Sequence, residues 1–461
     1  MKNKLIIKNS NNIYSKAIKI IPSGTQTFSK GVTQFTNGIS PKYLKKGKGA
    51  YAWDVDNNKF LDYVMGCHPL ILGYSDKDVN EAVKKQLDLG STFSLMNKLE
   101  LDVAEILVET IPCAEMVRFG KNGADATTIG VRLARAVTKR DHIAYCGYHG
   151  WHDWFIANTD LNSGIPKFNQ KLAHSFVYND LDSLEKIFKK YKNKVAIIIM
   201  EPVTVFEPKC YGPKNCSNFK CKKNFCQKNF LTEVKRIADE NGTLLMFDEI
   251  ISGFRFSNGG AQKMFGVTPD LASFAKAISN GIPISAIVGK KKYMKYLDKT
   301  FFSFTYGGDC IGLAAAKVCI PKIIEKKVVN HLYDVGSLLK NEINRLSMKY
   351  NLYEYISCIG YPCRSIVALK NSNFFSDLEL KTYIQQELIR SGILWAAYHA
   401  LSWSHKKKDI FTTINVFEDI FKKINKYINN KKKLNSYIKG EIVKPVFRKV
   451  ADFNSYIKNS Y

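Results

Sequence analysis

The sequence predicts an α/β fold in which helices cover a largely parallel sheet. Three observations carry that prediction. From about residue 76 to 325, segments of helical periodicity alternate with short β-rich runs, as repeated strand–helix units do. The clearest of those runs, Val195–Met200, Leu244–Phe247 and Leu271–Ala275, are apolar and strand-sized. The composition, 45% hydrophobic and 24% charged over 461 residues, is that of a globular chain with room for a sizeable core.

Residues 1–75 read as a small N-terminal segment of turn-rich pieces. They include the Pro22-Ser23-Gly24 turn and an Asp-rich, hairpin-like stretch from Ala52 to Asn58. Residues 76–325 form the large α/β region. Residues 326–461 carry amphipathic helical segments, Val328–Tyr350 and Asp377–Ser391, around a strand at Cys363–Leu369, and read as a smaller α+β domain with a tail. No internal repeat or low-complexity linker interrupts this order.

The N-terminus has an apolar run of only three residues, and nowhere does an apolar stretch reach the roughly 18 residues that span a bilayer. A cytoplasmic protein without membrane insertion is expected. The 69 Lys+Arg against 41 Asp+Glu give a net charge of +28. Such a charge fits affinity for anions, and it fits compositional drift equally, since the lysines are scattered and no nucleic-acid-binding motif stands out. The tail beyond Lys431 mixes its charges with Phe447, Val450 and Phe453, as a packed or capping segment does. The eleven cysteines are expected to be reduced thiols, most of them in apolar settings.

The chemistry concentrates between Leu244 and Gly289. One apolar strand ends in Phe247-Asp248-Glu249-Ile250, and Lys276 stands 28 residues beyond Asp248, just after the next strand. In a parallel sheet the C-terminal strand ends open onto the ligand crevice, so an acid and a lysine placed there can face one site. Ile250 lies two residues past Asp248, which strand periodicity would place on the same face.

The whole run FDEIISGFRFSNGGAQKMFGVTPDLASFAKAISNGIPISAIVGKK resembles the cofactor signature of the class III aminotransferases, in the branch near glutamate-1-semialdehyde aminomutase. Lys121-Asn122-Gly123-Ala124-Asp125-Ala126 is similar to that family's phosphate-binding turn, Gly147-Tyr148-His149-Gly150 to its aromatic-His-Gly motif, and Phe304-Thr305-Tyr306-Gly307-Gly308 to the segment before its Ala-rich helix. Trp53 to Tyr63 matches its opening hairpin, so the likeness covers roughly residues 20 to 425.

The resemblance implies a pyridoxal-5'-phosphate (PLP) enzyme of fold type I, with a small domain built from both chain ends. Lys276 would hold the cofactor as a Schiff base and then move the substrate's α-proton. Asp248 would pair with the pyridine nitrogen, Ile250 and Tyr148 would cover the two ring faces, and Gly123 and Ala124 would give backbone N–H groups to the phosphate. Thr305 would reach the phosphate of a neighbouring subunit, making a homodimer. Glu201 would join the network near the ring, and His149 would orient the stacking aromatic. The substrates would be a small-molecule amino donor and a carbonyl acceptor.

Two departures mark this chain. The aminomutases carry a Ser-Pro-Val-Arg segment whose arginine engages a substrate carboxylate; here the segment is Gly24-Thr25-Gln26-Thr27-Phe28-Ser29. That resembles members assigned to surface-polysaccharide pathways, whose acceptor is a carbonyl on a sugar or small acid. The second departure is an insertion at 209–228 holding Cys210, Cys216, Cys221 and Cys226 among lysines. Four thiolates can close a tetrahedral structural zinc site, but the spacing is not that of the common zinc ribbons, so zinc, unbound thiols and disulfides stay open. Two other readings compete: an intramolecular aminomutase using the same residues, and a cofactor-free scaffold that keeps the fold. A nicotinamide dehydrogenase would want a Gly-x-Gly-x-x-Gly turn after an early strand, and the sequence has none in that context.

Overall fold

A computed structural model describes residues 5–203, 205–212 and 228–445. The chain divides into two compact units: one runs up to Asp76 and resumes at Asn330, the other is Lys77–Val329.

The first unit opens with three strands, β1 (Leu44–Lys48), β2 (Tyr51–Asp54) and β3 (Lys59–Asp62), in an antiparallel meander. The Asp-rich stretch is its second hairpin: Asp54 accepts from the N–H groups of Asp56 (3.0 Å) and Asn58 (2.7 Å), which closes the turn.

The second unit is built on a seven-stranded sheet. Its strands are β4 (Met116–Gly120), β5 (His142–Cys146), β6 (Ala173–Ser175), β7 (Val195–Met200), β8 (Leu244–Asp248), β9 (Leu271–Phe274) and β10 (Ser285–Gly289), in the order β4-β10-β9-β8-β7-β5-β6. Strand β10 runs antiparallel to both its neighbours, while the pairs from β9 through to β6 are parallel. Strands β7, β8, β9 and β10 are buried along their whole length, which is why they read in sequence as unbroken apolar runs rather than as alternation. The helix Gly123–Thr138 buries Ala126, Ile129, Leu133 and Ala134 in a core shared with Ile143, Ile197, Ile199, Met246 and Ile287 of the sheet.

In the rest of the first unit, β11 (Ile356–Tyr361) and β12 (Arg364–Leu369) form a hairpin, and the two-residue β13 (Ile393–Leu394) joins β3 in parallel. The helices Val328–Lys349 and Asp377–Arg390 stand where the amphipathic pattern predicts them. Among the described residues no helix is long and apolar enough to cross a membrane. Phe447, Val450 and Phe453 of the tail lie outside the described residues.

Candidate active site

The parallel strands of the second unit all end on one edge of the sheet, and the segments leaving β5, β7, β8 and β9 carry Tyr148, Glu201, Asp248 and Lys276. Asp248 is the last residue of β8, in register with Ser273 on β9, and is 4% exposed. Its Oδ1 accepts from the Ile250 N–H (3.1 Å) and the Ser273 hydroxyl (3.2 Å); its Oδ2 lies 2.8 Å from His149 Nδ1. A carboxylate in its ionised form only accepts, which makes His149 Nδ1 the donor in that form. A carboxylate has about four acceptor positions, and three are in use, so one remains for a further N–H.

His149 is walled in by aromatics. Its ring stacks on Trp154 (6.1 Å between centroids, 16° between planes) and meets Phe155 edge-on at 5.5 Å. The Thr127 hydroxyl donates to the His149 carbonyl at 2.8 Å, which fixes its backbone. The other ring nitrogen, Nε2, is buried without a hydrogen-bond partner among the described residues.

The remaining groups interlock with this pair. Glu201 Oε1 accepts from the Tyr148 N–H at 3.0 Å, and the Tyr148 ring meets Phe155 edge-on at 5.4 Å. Gly150 has φ +109°, and a Cβ there would lie 2.7 Å from the Ala124 Cβ, so only glycine lets this loop pack on the start of the Gly123–Thr138 helix. A Cβ at Gly123 would fall 2.5 Å from Ile250 Cδ1. Gly123 and Ile250 thereby meet directly, Ile250 bonds Asp248, and Tyr148 and Ala124 join them through Phe155, His149 and Gly150. Asp125 reaches back to accept from the Lys121 and Asn122 N–H groups (2.9 and 2.7 Å), which shapes the turn before the helix.

Ile250 reaches this position for a reason other than the one its spacing suggests. Strand β8 stops at Asp248, and Ile250 lies in the following turn, so strand periodicity does not apply to it. The turn is held by Glu249, fully buried, whose carboxylate accepts from the Ser252 hydroxyl (2.5 Å) and the N–H groups of Ala261 (2.7 Å) and Gln262 (2.9 Å). Burial pushes its carboxyl pKa up against the pull of these donors.

Lys276 comes three residues after Ser273 in the chain, half-buried at the start of a short 3-10 turn, Lys276–Ser279. Its φ is +52°, left-handed backbone that costs a non-glycine residue on the order of 1–2 kcal/mol. Thr305 is exposed in a separate turn, and among the described residues no hydrogen bond ties it to the Asp248 group. Of the four clustered cysteines, Cys210 is half-buried with Sγ accepting from the Gly212 N–H at 3.4 Å, while Cys216, Cys221 and Cys226 lie outside the described residues. Among the described residues no three His, Cys, Asp or Glu side chains gather into a metal site.

Sequence reasoning assigned His149 to Tyr148 and missed its bond to Asp248. It also passed over Ser273, whose hydroxyl faces the same carboxylate. The residues present suit PLP: an acceptor position left open on a buried carboxylate, a helix that starts on a glycine, and a lysine on left-handed backbone after the adjacent strand.

Known proteins agree with that chemistry. The family model for aminotransferase class-III matches residues 36–399. A 3-aminobutyryl-CoA aminotransferase of Cloacimonas acidaminovorans is 34% identical over 90% of this chain and 97% of its own length. A glutamate-1-semialdehyde 2,1-aminomutase of Francisella philomiragia is 32% identical over the same shares. Among solved structures, the FumI protein of Sphingopyxis sp. MTA144 covers 91% of this chain and 97% of its own, with a TM-score of 0.80 at 24% identity, a likeness of fold. The chain belongs to the class-III aminotransferase family and is a PLP-dependent enzyme of the aminotransferase and aminomutase kind.

Proposed function

We propose that this enzyme transfers an amino group between two small molecules, a donor amine and a carbonyl acceptor, with Lys276 as covalent anchor and proton carrier. The observation that carries this is the buried Asp248 carboxylate, held by His149, Ser273 and the Ile250 N–H at the end of β8, with Lys276 following the neighbouring strand. PLP, when bound, supplies an electron sink for the substrate's amino-bearing carbon.

The chain's own groups do the rest. Asp248 would hold the ring nitrogen, and His149 orients the carboxylate through Nδ1. The N–H groups of Gly123 and Ala124 would hold the phosphate at the positive end of the helix. Tyr148 and Ile250 would bracket the ring. The Lys276 amine takes and returns the proton at the substrate's α-carbon.

Transfer between two molecules, rather than within one, is supported by the N-terminal segment: no arginine precedes Arg118, so an aminomutase's carboxylate clamp has no arginine there to form it. We read the acceptor as a carbonyl on a sugar or small acid and the enzyme as cytoplasmic. A homodimer is supported by apolar side chains left in solvent on two turns that the Cys310 N–H to Ser91 carbonyl bond (2.9 Å) ties together, among them Leu95, Met96, Phe301 and Tyr306, 80%, 85%, 78% and 59% exposed. Structural zinc on Cys210, Cys216, Cys221 and Cys226 rests on their spacing alone, and equal zinc content in wild type and Cys216→Ser would end it.

The visible spectrum tests the central reading. Purified protein with PLP should be yellow, bleach on addition of an amino donor such as glutamate or alanine, and lose both properties in Lys276→Ala. A colourless protein that ignores PLP would favour the scaffold reading. Turnover of a single substrate with no acceptor present would favour the aminomutase.

A further inference from the structure

A cavity of about 400 Å³ opens on the outer flank of the Gly123–Thr138 helix, in the second unit and apart from the groups assigned to PLP. Its chemistry is uneven. Arg132 and Arg135, three residues apart on the same helix face, both line it. Arg132 spends one N–H on the Phe301 carbonyl (2.9 Å) and Arg135 one on the Asp141 carbonyl (3.0 Å). Each guanidinium has five N–H donors, so most remain for something else. Burial pushes the Arg135 pKa down, and the nearby Asp141 carboxylate offsets this in part.

The rest of the wall is planar and apolar with two polar points. Trp151 stands 68% exposed at the cavity, unusual for a large aromatic, and Ile143, Leu172 and Trp154 also line it. His152 is tied through Nδ1 to the Thr128 hydroxyl (2.8 Å), which also accepts from Trp154 Nε1 (3.0 Å). Among the described residues that line it, Asp153 is the one carboxylate, set against two guanidiniums.

We propose that this cavity binds a planar heteroaromatic anion of about mononucleotide size, the ring on Trp151, the anionic group on Arg132 and Arg135, and a ring or sugar donor on Asp153. Its size falls in the range of small-molecule pockets. Two planar cations beside an exposed indole suit a phosphate or carboxylate joined to an aromatic ring. The inference does not depend on the catalytic reading, because Arg132, Arg135, Trp151 and Asp153 have no part in it; of the lining, Trp154 also packs on His149.

The test is calorimetric titration of the full-length, PLP-saturated protein, so that the donors at Gly123 are already engaged, with AMP, CMP, adenosine and inorganic phosphate. At least one nucleotide should bind with Kd below about 1 mM, and adenosine and phosphate at least tenfold more weakly. Arg132→Gln, Arg135→Gln and Trp151→Ala should each weaken the nucleotide about tenfold or more. Arg132 and Trp151 are exposed, so unchanged melting temperatures keep those two informative should Arg135→Gln fail to fold. No nucleotide binding below 1 mM overturns the proposal, as does phosphate binding as tightly as the nucleotide, or Arg132→Gln and Trp151→Ala both binding like wild type.

Discussion

Each unit of this protein buries an imidazole network, and the two are completed differently. In the first unit, His399 is fully buried between neutral groups: Nδ1 lies 2.8 Å from the Ser365 hydroxyl, and Nε2 accepts from Trp395 Nε1 at 3.2 Å. Both ring nitrogens are satisfied, and burial, with His405 nearby, holds its pKa down at about 3. In the second unit, His149 faces the Asp248 carboxylate and keeps a buried nitrogen without a partner among the described residues. A saturated network of neutral groups specifies packing; a network with a charge and an open valence is unfinished protein chemistry and points to a ligand. The class-III family assignment and the open acceptor position on Asp248 agree on which of the two is the active site.

Removing the charge from the open network should have the largest effect. Asp248→Asn preserves shape but replaces an acceptor-only group by an amide. Steady-state kinetics should show kcat/KM lower by about a thousandfold, ~4 kcal/mol of transition-state stabilisation, with the melting temperature nearly unchanged. A loss under tenfold would remove Asp248 from the catalytic machinery.

His149→Phe should come next. The phenyl ring can keep the stack on Trp154 while the Nδ1–H to Asp248 is lost, and the rate should fall roughly 10–100-fold, the usual cost of losing an orienting partner. A purely structural role would leave the pH–rate profile where it was. We expect the profile and the pH titration of the cofactor's visible band both to move, and unmoved curves would reduce His149 to packing.

Gly150→Ala tests how tightly the loop must close. The added methyl would meet Ala124 at 2.7 Å on backbone with φ +109°, so both backbone strain and a displaced helix start are expected. Weaker PLP retention on dialysis should accompany a loss of about 1–3 kcal/mol in stability. Retention equal to wild type would show that the loop and the helix start are not one unit.

How much of this was legible in sequence depends on whether the determinant was local. Strands Val195–Met200 and Leu244–Asp248 and the helices Val328–Lys349 and Asp377–Arg390 announced themselves through apolar runs and periodicity, which neighbouring residues alone create. Asp248 and Lys276 stood out because both sit at the ends of recognisable strands within a run that resembles the family's cofactor signature. The Asp248–His149 bond spans 99 residues and depends on β7 lying between β8 and β5, an order the sequence does not spell out. Ile250 was placed by the right spacing for the wrong reason, because a turn anchored by the buried Glu249 replaces the strand there. The signal that could have found His149 is the Gly147 and Gly150 pair around it, two left-handed positions (φ +112° and +109°) that turn the loop back onto the sheet edge.

The closed network makes the smallest prediction near neutral pH and the cleanest in sign. His399 titrates at about 3 in the fold, against roughly 6.5 unfolded. Between those values the unfolded chain binds one more proton than the native one, so stability rises with pH and is lost as pH falls below about 6.5. One proton corresponds to about 1.4 kcal/mol per pH unit, and the loss levels off below about pH 3. His399→Phe should lower the melting temperature at pH 7.5, since Ser365 and Trp395 lose their partner at a cost of about 1–3 kcal/mol. Its stability should also fall less steeply with acid than wild type's, by that one proton. His174, whose pKa burial and His142 depress to about 4, adds a slope of the same sign, so only the difference between variant and wild type reports on His399. Equal slopes in denaturant titrations at pH 4.5 to 7.5 would mean that His399 is not held neutral, and the contrast between the closed and the open network would lose its physical basis.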